Sequence, residues 1–275
     1  MPELPEVETT LRGIEPYILQ KKIKKIIVRQ ESLRWPVPIN TLNNKLLGNY
    51  FLSIKRRGKY LIIESKEGFL LIHLGMSGCL RIFNKEIQPD KHDHIDIVFG
   101  DKSYLRYTDP RRFGSFLWTQ STETHPLLRN LGPEPLGNEF SAEYLFKKSR
   151  KRKVPIKNFI MDSKVVVGIG NIYANEALFL SGIKPSKKAC VITLSKFEDL
   201  TLNIRNLLHK SIEQGGTTLR NFLGGNNKPG YFKQELMVYG RKGKSCFQCS
   251  LPLEELRIGQ RSSIFCKKLN TKNNH

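Results

Sequence analysis

The spacing of apolar residues changes character twice along the chain. Over residues 2–18, Leu4, Val7, Leu11 and Ile14 recur at helical steps behind a proline start and an acidic first turn, which predicts an amphipathic helix. From residue 23 to about 117 the pattern becomes short β-rich runs at 26–28, 60–63, 69–74, 95–99 and 116–118, separated by turn residues. Such runs predict an all-β sandwich or barrel. Residues 131–137 (Leu-Gly-Pro-Glu-Pro-Leu-Gly) read as a rigid linker. Helical patterns then cover 142–148, 154–161, 172–180 and 195–214, punctuated by Asp-, Ser- and Asn-type caps and by glycine stops. Gly215, Gly216, Gly224, Gly225, Pro229 and Gly230 bound a loop, and hairpin-like sequence returns around the last cysteines. No internal repeat is visible. The chain is therefore an α+β protein, strands first and helices after.

Length and composition narrow this further. A chain of 275 residues with 39% hydrophobic content accommodates about two domains with real cores and excludes wholesale disorder. It carries 46 Lys plus Arg against 25 Asp plus Glu, a net charge of +21, which points to a polyanionic partner. The excess is blocked rather than spread. Residues 21–60 hold eleven bases and one acid, residues 147–157 seven bases, and residues 241–275 eight bases and two acids. Any one block can be a solvated face; three together are the footprint of a nucleic-acid binder. A membrane-surface helix fits less well, because residues 147–153 have no apolar face at helical spacing. No apolar run approaches the ~18 residues of a membrane span. Glu3, Glu6 and Glu8 stand where a secretory leader would be basic, so a cytoplasmic protein is expected.

Two places carry candidate chemistry. Met1 precedes a small residue and is expected to be removed, leaving Pro2 with a secondary α-amine. Such amines titrate near 7.7–8.0, so roughly a seventh is free base at pH 7, far more than for a lysine. A helix start disfavours the ammonium further. Addition of a secondary amine to a sugar C1′ gives an iminium with no proton to lose, an electron sink for elimination, and Glu3 stands next to it to donate or relay protons. At the other end, Cys246, Cys249 and Cys266 make three-quarters of a ribbon-type zinc pattern in what reads as a reducing compartment. Cys79 and Cys190 read as inert core residues. His92 and His94 alternate ahead of a strand but lack a third and fourth ligand nearby, which argues against a metal pair.

Six motifs then carry a resemblance. The opening 1–9 (Met-Pro-Glu-Leu-Pro-Glu-Val-Glu-Thr), 73–78 (His-Leu-Gly-Met-Ser-Gly), 107–114 (Tyr-Thr-Asp-Pro-Arg-Arg-Phe-Gly), 167–174 (Val-Gly-Ile-Gly-Asn-Ile-Tyr-Ala), 215–219 (Gly-Gly-Thr-Thr-Leu) and 234–241 (Gln-Glu-Leu-Met-Val-Tyr-Gly-Arg) resemble bacterial formamidopyrimidine-DNA glycosylases, from residue 1 to about 266. The related endonuclease VIII type usually opens Pro-Glu-Gly-Pro, whereas Leu4 stands here, which favours oxidised purines over oxidised pyrimidines.

The resemblance implies a fold, a chemistry and a set of residues. The fold would be an N-terminal helix plus β-sandwich domain over 1–134, a helix–two-turn–helix DNA-binding domain over 135–230 and a zinc-ribbon-like β-hairpin over 231–275, with DNA in a basic cleft and a lid over about 219–231. The activity would be bifunctional base excision repair, releasing 8-oxoguanine and formamidopyrimidines and then cleaving the abasic strand by β,δ-elimination. Pro2 would be the nucleophile, Glu3 the acid, Lys59 the residue of β-elimination, and Arg261 the hairpin-tip grip on phosphate. Met76, Arg111 and Phe113 would fill the hole left by the flipped nucleotide, and His73, His92, Arg152 and Asn171 would contact DNA. The partner would be double-stranded DNA with oxidised purines or abasic sites, bound by a monomer in the bacterial cytoplasm. One departure stands out: the family's fourth zinc cysteine falls at position 269, which is Leu269, so zinc is left with Cys246, Cys249 and Cys266, with water or His275 to complete it. A non-catalytic lesion binder and a pyrimidine-directed endonuclease VIII-type enzyme are the rival readings.

Overall fold

The structure, a computed structural model, describes residues 2–216 and 236–270. The chain divides into two compact units. Met1–Arg129, with a segment beginning at Ile212, forms the first, and Asn130–Ser211, with the segment from Lys233, forms the second. No helix among the described residues is long and apolar enough to cross a membrane. The segment 219–231, expected as a lid, lies outside the described residues, as does His275.

In the first unit, α1 (Leu4–Ile18) starts where Glu3 turns extended (φ −108°) and its backbone N–H donates to Glu6 Oε2 at 2.8 Å. That bond satisfies a donor that a helix start otherwise leaves orphaned. The stripe Leu4, Val7, Leu11, Ile14 and Ile18 is buried. The helix is followed by β1 (Ile23–Val28), α2 (Ile39–Leu46), β2 (Phe51–Arg57), β3 (Tyr60–Ser65), β4 (Gly68–His73), β5 (Cys79–Phe83), β6 (Asp93–Phe99), β7 (Tyr104–Thr108) and β8 (Ser115–Thr119). The strands form two antiparallel four-stranded sheets, ordered β1-β6-β7-β5 and β2-β3-β4-β8. A single core joins both sheets to α1, with Val7, Ile14, Phe51, Ile63, Ile72, Ile97, Leu105 and Phe116 in it. Each such side chain contributes about 1.5–3 kcal/mol on burial.

Register places the site. The β3–β4 ladder ends at Tyr60↔His73, the β4–β8 ladder at His73↔Ser115, and the β5–β7 ladder at Cys79↔Thr108. The connection 74–78 leaves β4 of one sheet for β5 of the other, and 109–114 leaves β7 for β8. The two crossings therefore run side by side at one end of the sandwich. The β2–β3 turn, with Gly58 and Lys59, opens at that same end because Tyr60 is opposite His73.

The second unit holds α3 (Ala142–Ser149), α4 (Ile156–Met161), α5 (Asn171–Leu180), a 3-10 turn (Ala189–Val191), most of α6 (Leu194–Gly216), the hairpin β9 (Glu254–Ile258) and β10 (Arg261–Phe265), and α7 (Lys267–Asn270). Ser141 caps α3 by accepting the Tyr144 N–H at 3.1 Å. The hairpin turns on Gly259 (φ +54°) and Gln260 (φ +63°), the double positive φ that a two-residue antiparallel turn needs. Arg261 is the first residue after it.

Candidate active site

Pro2 is buried, and Glu3 has no exposed surface at all. Both lie at the positive end of the α1 dipole, which favours a carboxylate and an uncharged amine over an ammonium. One turn on, Glu8 accepts from Arg56 Nε at 2.8 Å and from Arg12 Nε at 3.0 Å. Burial raises its carboxyl, but the two guanidinium groups outweigh that and hold it below the usual range. The Arg56 contact ties α1 to β2, the strand that leads into Gly58 and Lys59.

His73, at the end of β4, is the most perturbed imidazole described. Burial, then the Lys59 and Arg34 charges, push its pKa down from 6.5 to about 4. Its Nδ1 accepts the Gly75 N–H at 2.9 Å, so the neutral ring carries its proton on Nε2 and presents a donor there. Arg34 was not read from the sequence; its backbone N–H donates to Gly114 O at 3.1 Å and brings a second cation to this end of the sandwich.

The two crossings are organised by one carboxylate. Asp109, fully buried, accepts from Ser77 Oγ (2.6 Å) on one face, and from the Gly114 N–H (2.9 Å) and Tyr107 Oη (3.1 Å) on the other. Ser77 Oγ in turn accepts the Arg111 N–H at 3.1 Å. Crossing 74–78 is thus stitched to 109–114 through side chain and backbone. Gly75 (φ +62°) lies so close to Phe113 and Gly114 that a Cβ would collide with their backbone. Met76 is 36% exposed and Phe113 47%, and the Arg111 guanidinium lies 4.9 Å over the Phe113 ring. Neither Met76 nor Phe113 is a core residue, and all three side chains project from a rigid base. Asp109 was missed as a site residue, although its place in the turn motif Thr-Asp-Pro-Arg-Arg-Phe-Gly was a signal.

His92 is half-buried and its carbonyl accepts the Asp109 N–H at 3.0 Å. His94 is buried with Nε2 at 2.8 Å from Asp109 O, so it braces the same loop. Cys79 and Cys190 are half-buried rather than fully in the core, and burial raises the Cys79 thiol.

In the second unit, Arg152 is exposed and reaches Asp162 at 3.0 Å, across the turn after α4. Asn171 is the first residue of α5, behind Gly170 in extended conformation, at a helix N-terminus suited to an anion. Arg261 is exposed at the hairpin tip. Not every base of 147–157 faces solvent: Lys157 is fully buried, donating from Nζ to Ser262 O (2.6 Å) and Ser263 Oγ (2.7 Å) in β10. Asn175 Oδ1 accepts the Ile264 N–H at 2.8 Å. Glu176 accepts the N–H groups of Met237, Val238 and Tyr239 at 2.7, 2.9 and 2.7 Å. Asn270 accepts the Cys266 N–H at 2.9 Å and donates to Leu178 O at 3.1 Å. The Lys157 and Asn175 bonds fasten β10 to α4 and α5, and the Glu176 bonds tie residues 237–239 to α5.

The sulfurs of Cys246, Cys249 and Cys266 all lie within 4.8 Å of one another, close enough to share one ion. The set is compatible with zinc but does not complete a four-thiolate site, because Leu269 packs its apolar side chain against the same cluster.

A β-sandwich with a buried proline and glutamate at its first helix, joined to a helix–two-turn–helix unit bearing exposed cations, defines a DNA-processing enzyme of the glycosylase class. Residues 1–116 match the formamidopyrimidine-DNA glycosylase N-terminal domain and residues 131–222 the formamidopyrimidine-DNA glycosylase H2TH domain. The formamidopyrimidine-DNA glycosylase of Cellvibrio japonicus is 55% identical over 97% of this chain and 98% of its own, and that of Proteus mirabilis 53% identical over 97% of each. Among solved structures, Lactococcus lactis formamidopyrimidine-DNA glycosylase bound to DNA with an abasic site is similar at a TM-score of 0.86 and 32% identity, covering 98% of this chain and 100% of that one. MutM in complex with DNA containing carbocyclic 8-oxo-G matches at 0.88 and 33%, with the same coverage. The chain belongs to the formamidopyrimidine-DNA glycosylase family, DNA glycosylases of base excision repair.

Proposed function

We propose that the protein removes oxidised purines, 8-oxoguanine and formamidopyrimidines, from duplex DNA and then nicks the strand at the resulting abasic site. The observation that carries this is the buried Pro2–Glu3 pair at the positive end of α1. Related proteins bound to DNA with 8-oxo-G, Fapy-dG and abasic sites support the substrate class.

With Met1 removed, the Pro2 nitrogen attacks C1′. The glycosidic bond breaks and its electron pair leaves with the base, which takes up a proton. Glu3 protonates O4′ as the sugar opens, leaving a C1′ iminium on Pro2 and a free 4′-hydroxyl. Loss of a C2′ proton, taken up by Lys59, expels the 3′-phosphate. A second elimination expels the 5′-phosphate, which Arg261 grips. Water then releases the sugar fragment from Pro2. Met76, Arg111 and Phe113 fill the vacated stack, with Arg111 bonding the orphaned base, while His73, His92, Arg152 and Asn171 hold the backbone. The three-cysteine set supports the hairpin that carries Arg261, with or without zinc, and no chemical step passes through it. The protein acts as a monomer in the cytoplasm, on chromosomal DNA.

Borohydride trapping on an 8-oxoguanine:cytosine duplex tests the proposal. The expected result is a covalent adduct that peptide mapping assigns to Pro2. Glu3→Gln should slow base release by ~10²–10⁴-fold while still forming the adduct on a preformed abasic site. Tight lesion binding with no adduct would make the protein a non-catalytic binder and sink the proposal.

A further inference from the structure

The cysteine cluster differs from a four-thiolate zinc site in more than the count of ligands. Cys246 and Cys249 flank a tight turn in which the Cys246 N–H donates to Leu251 O and the Ser250 N–H to Cys246 O, both at 2.8 Å. Cys266 follows β10 directly. The Cys249 and Cys266 sulfurs lie 3.3 Å apart, and all three sulfurs are within 4.8 Å of one another. Cys246 and Cys266 are buried and Cys249 is half-buried. The three sulfurs are thus preset around a common point.

The surroundings of the three sulfurs are apolar. Leu269 packs against the cluster together with Met237, Phe179, Val238, Leu253 and Ile264. Among the described residues no further His, Cys, Asp or Glu joins the three cysteines. Structural zinc is almost always four-coordinate, so zinc here leaves one position to be filled by water against a leucine. A soft cation content with three sulfurs has no such shortfall, and thiolates select for soft cations. Three thiolates around a monovalent ion leave a net charge of −2. Lys267 and Lys268 follow Cys266 in sequence, Lys242 and Lys244 precede Cys246, and Lys268 acts on Cys249 electrostatically, so cations stand near to offset it.

We infer that Cys246, Cys249 and Cys266 form a three-sulfur site for a soft, three-coordinate monovalent cation, Cu(I) being the ion that fits, with Leu269 packed against the cluster in place of a fourth ligand, and that this site prefers Cu(I) to zinc. Binding exchanges thiol protons for the metal, up to three per ion, with no change in oxidation state. The selectivity does not depend on glycosylase activity, so it stands or falls separately from the proposed function.

The test uses the full chain, thiols reduced and oxygen excluded. Cu(I) and Zn(II) are titrated separately against chromophoric chelators, and X-ray absorption counts the ligands. The expected result is one Cu(I) per chain, three sulfur neighbours without nitrogen or oxygen, and retention of Cu(I) in excess zinc. Leu269→Cys should raise zinc affinity by on the order of 100-fold and give a four-sulfur Co(II) spectrum that the wild type lacks. Zinc held against Cu(I) with an oxygen or nitrogen fourth ligand would overturn the inference and point to water or His275. Absence of stoichiometric Cu(I) binding would overturn it too. Rapid Cys249–Cys266 disulfide formation on exposure to air, with their sulfurs 3.3 Å apart, would then assign the pair to thiol oxidation.

Discussion

The sandwich end and the β9–β10 hairpin both hold exposed side chains that we propose meet DNA, by opposite means. At the sandwich end the support is compact: one carboxylate, Asp109, takes donors from Ser77, Tyr107 and Gly114, all inside two short motifs. At the hairpin the support is remote. Lys157 and Asn175 reach β10 backbone groups 105 and 89 residues away in sequence, and Glu176 holds residues 237–239, 61–63 residues away, beside them. The first design fails wherever its centre is touched. The second spreads its load, and that explains how a chain whose fourth cysteine position is Leu269 still presents Arg261 on an ordered hairpin.

The largest structural loss should follow Asp109→Ala. It strands two buried donors, Tyr107 Oη and the Gly114 N–H, and the half-buried Ser77 hydroxyl, and each buried unsatisfied group costs about 1–3 kcal/mol. A net loss of about 4 kcal/mol should lower the unfolding midpoint of the first unit by on the order of 10 °C. Lesion-duplex binding should weaken with it, as Met76, Arg111 and Phe113 lose their common base. Unchanged melting in calorimetry, with normal DNA affinity, would show that sheet register alone places the crossings.

Next comes a pH dependence confined to the sandwich end. Burial, Lys59 and Arg34 lower the His73 pKa from 6.5 to about 4 in the folded chain. The unfolded chain therefore takes the proton first. Stability from neutral His73 is complete above pH 6.5 and drains away as pH falls toward 4, by up to about 3 kcal/mol. Urea midpoints should drop across that window in the wild type and flatten in His73→Gln. A wild-type curve with no slope there would mean that His73 protonates without penalty.

The same contrast explains what was legible in the sequence. Helix α1 was readable because Leu4, Val7, Leu11 and Ile14 mark its buried stripe locally, and the sandwich because its runs alternate with turns. Strand β2 was not, since Lys55, Arg56 and Arg57 make it look like a surface block, though Arg56 serves to hold Glu8. Strand β7 hid in the same way: its Arg106 is buried because Asp93 and Asp96, on the neighbouring strand, bond it at 3.2 and 2.8 Å. The helix expected at 154–161 begins only at Ile156, after Pro155. Motifs marked the residues proposed to touch DNA. They did not mark the residues that hold those in place, because a buried polar side chain is defined by a partner that only the fold supplies. Lys157 is the sharpest case: counted with a basic block, it lies wholly inside.

Lys157→Met carries the smallest expected effect and discriminates best between the two designs. The substitution keeps the length of the stem and removes the ammonium that bonds Ser262 O and Ser263 Oγ. The acceptors lose a charged donor, about 2 kcal/mol of local stability, since hydrogen bonds to charged groups contribute about 1.5–3 kcal/mol. Removal of a buried charge offsets part of that, so the fold should survive. Amide exchange over 261–265 should accelerate by roughly 10–30-fold, while amides of β3 and β4 keep their wild-type rates. Affinity for abasic-site DNA should fall through a looser Arg261. Adding Leu269→Cys with zinc should then restore protection at 261–265, because a closed four-thiolate site fixes Cys266 at the end of β10 independently of Lys157. If Lys157→Met leaves hairpin exchange untouched, Asn175 and Asn270 suffice by themselves. If the paired variant shows no recovery, the metal and the buried bonds hold different parts of the hairpin, and the tip answers only to α4.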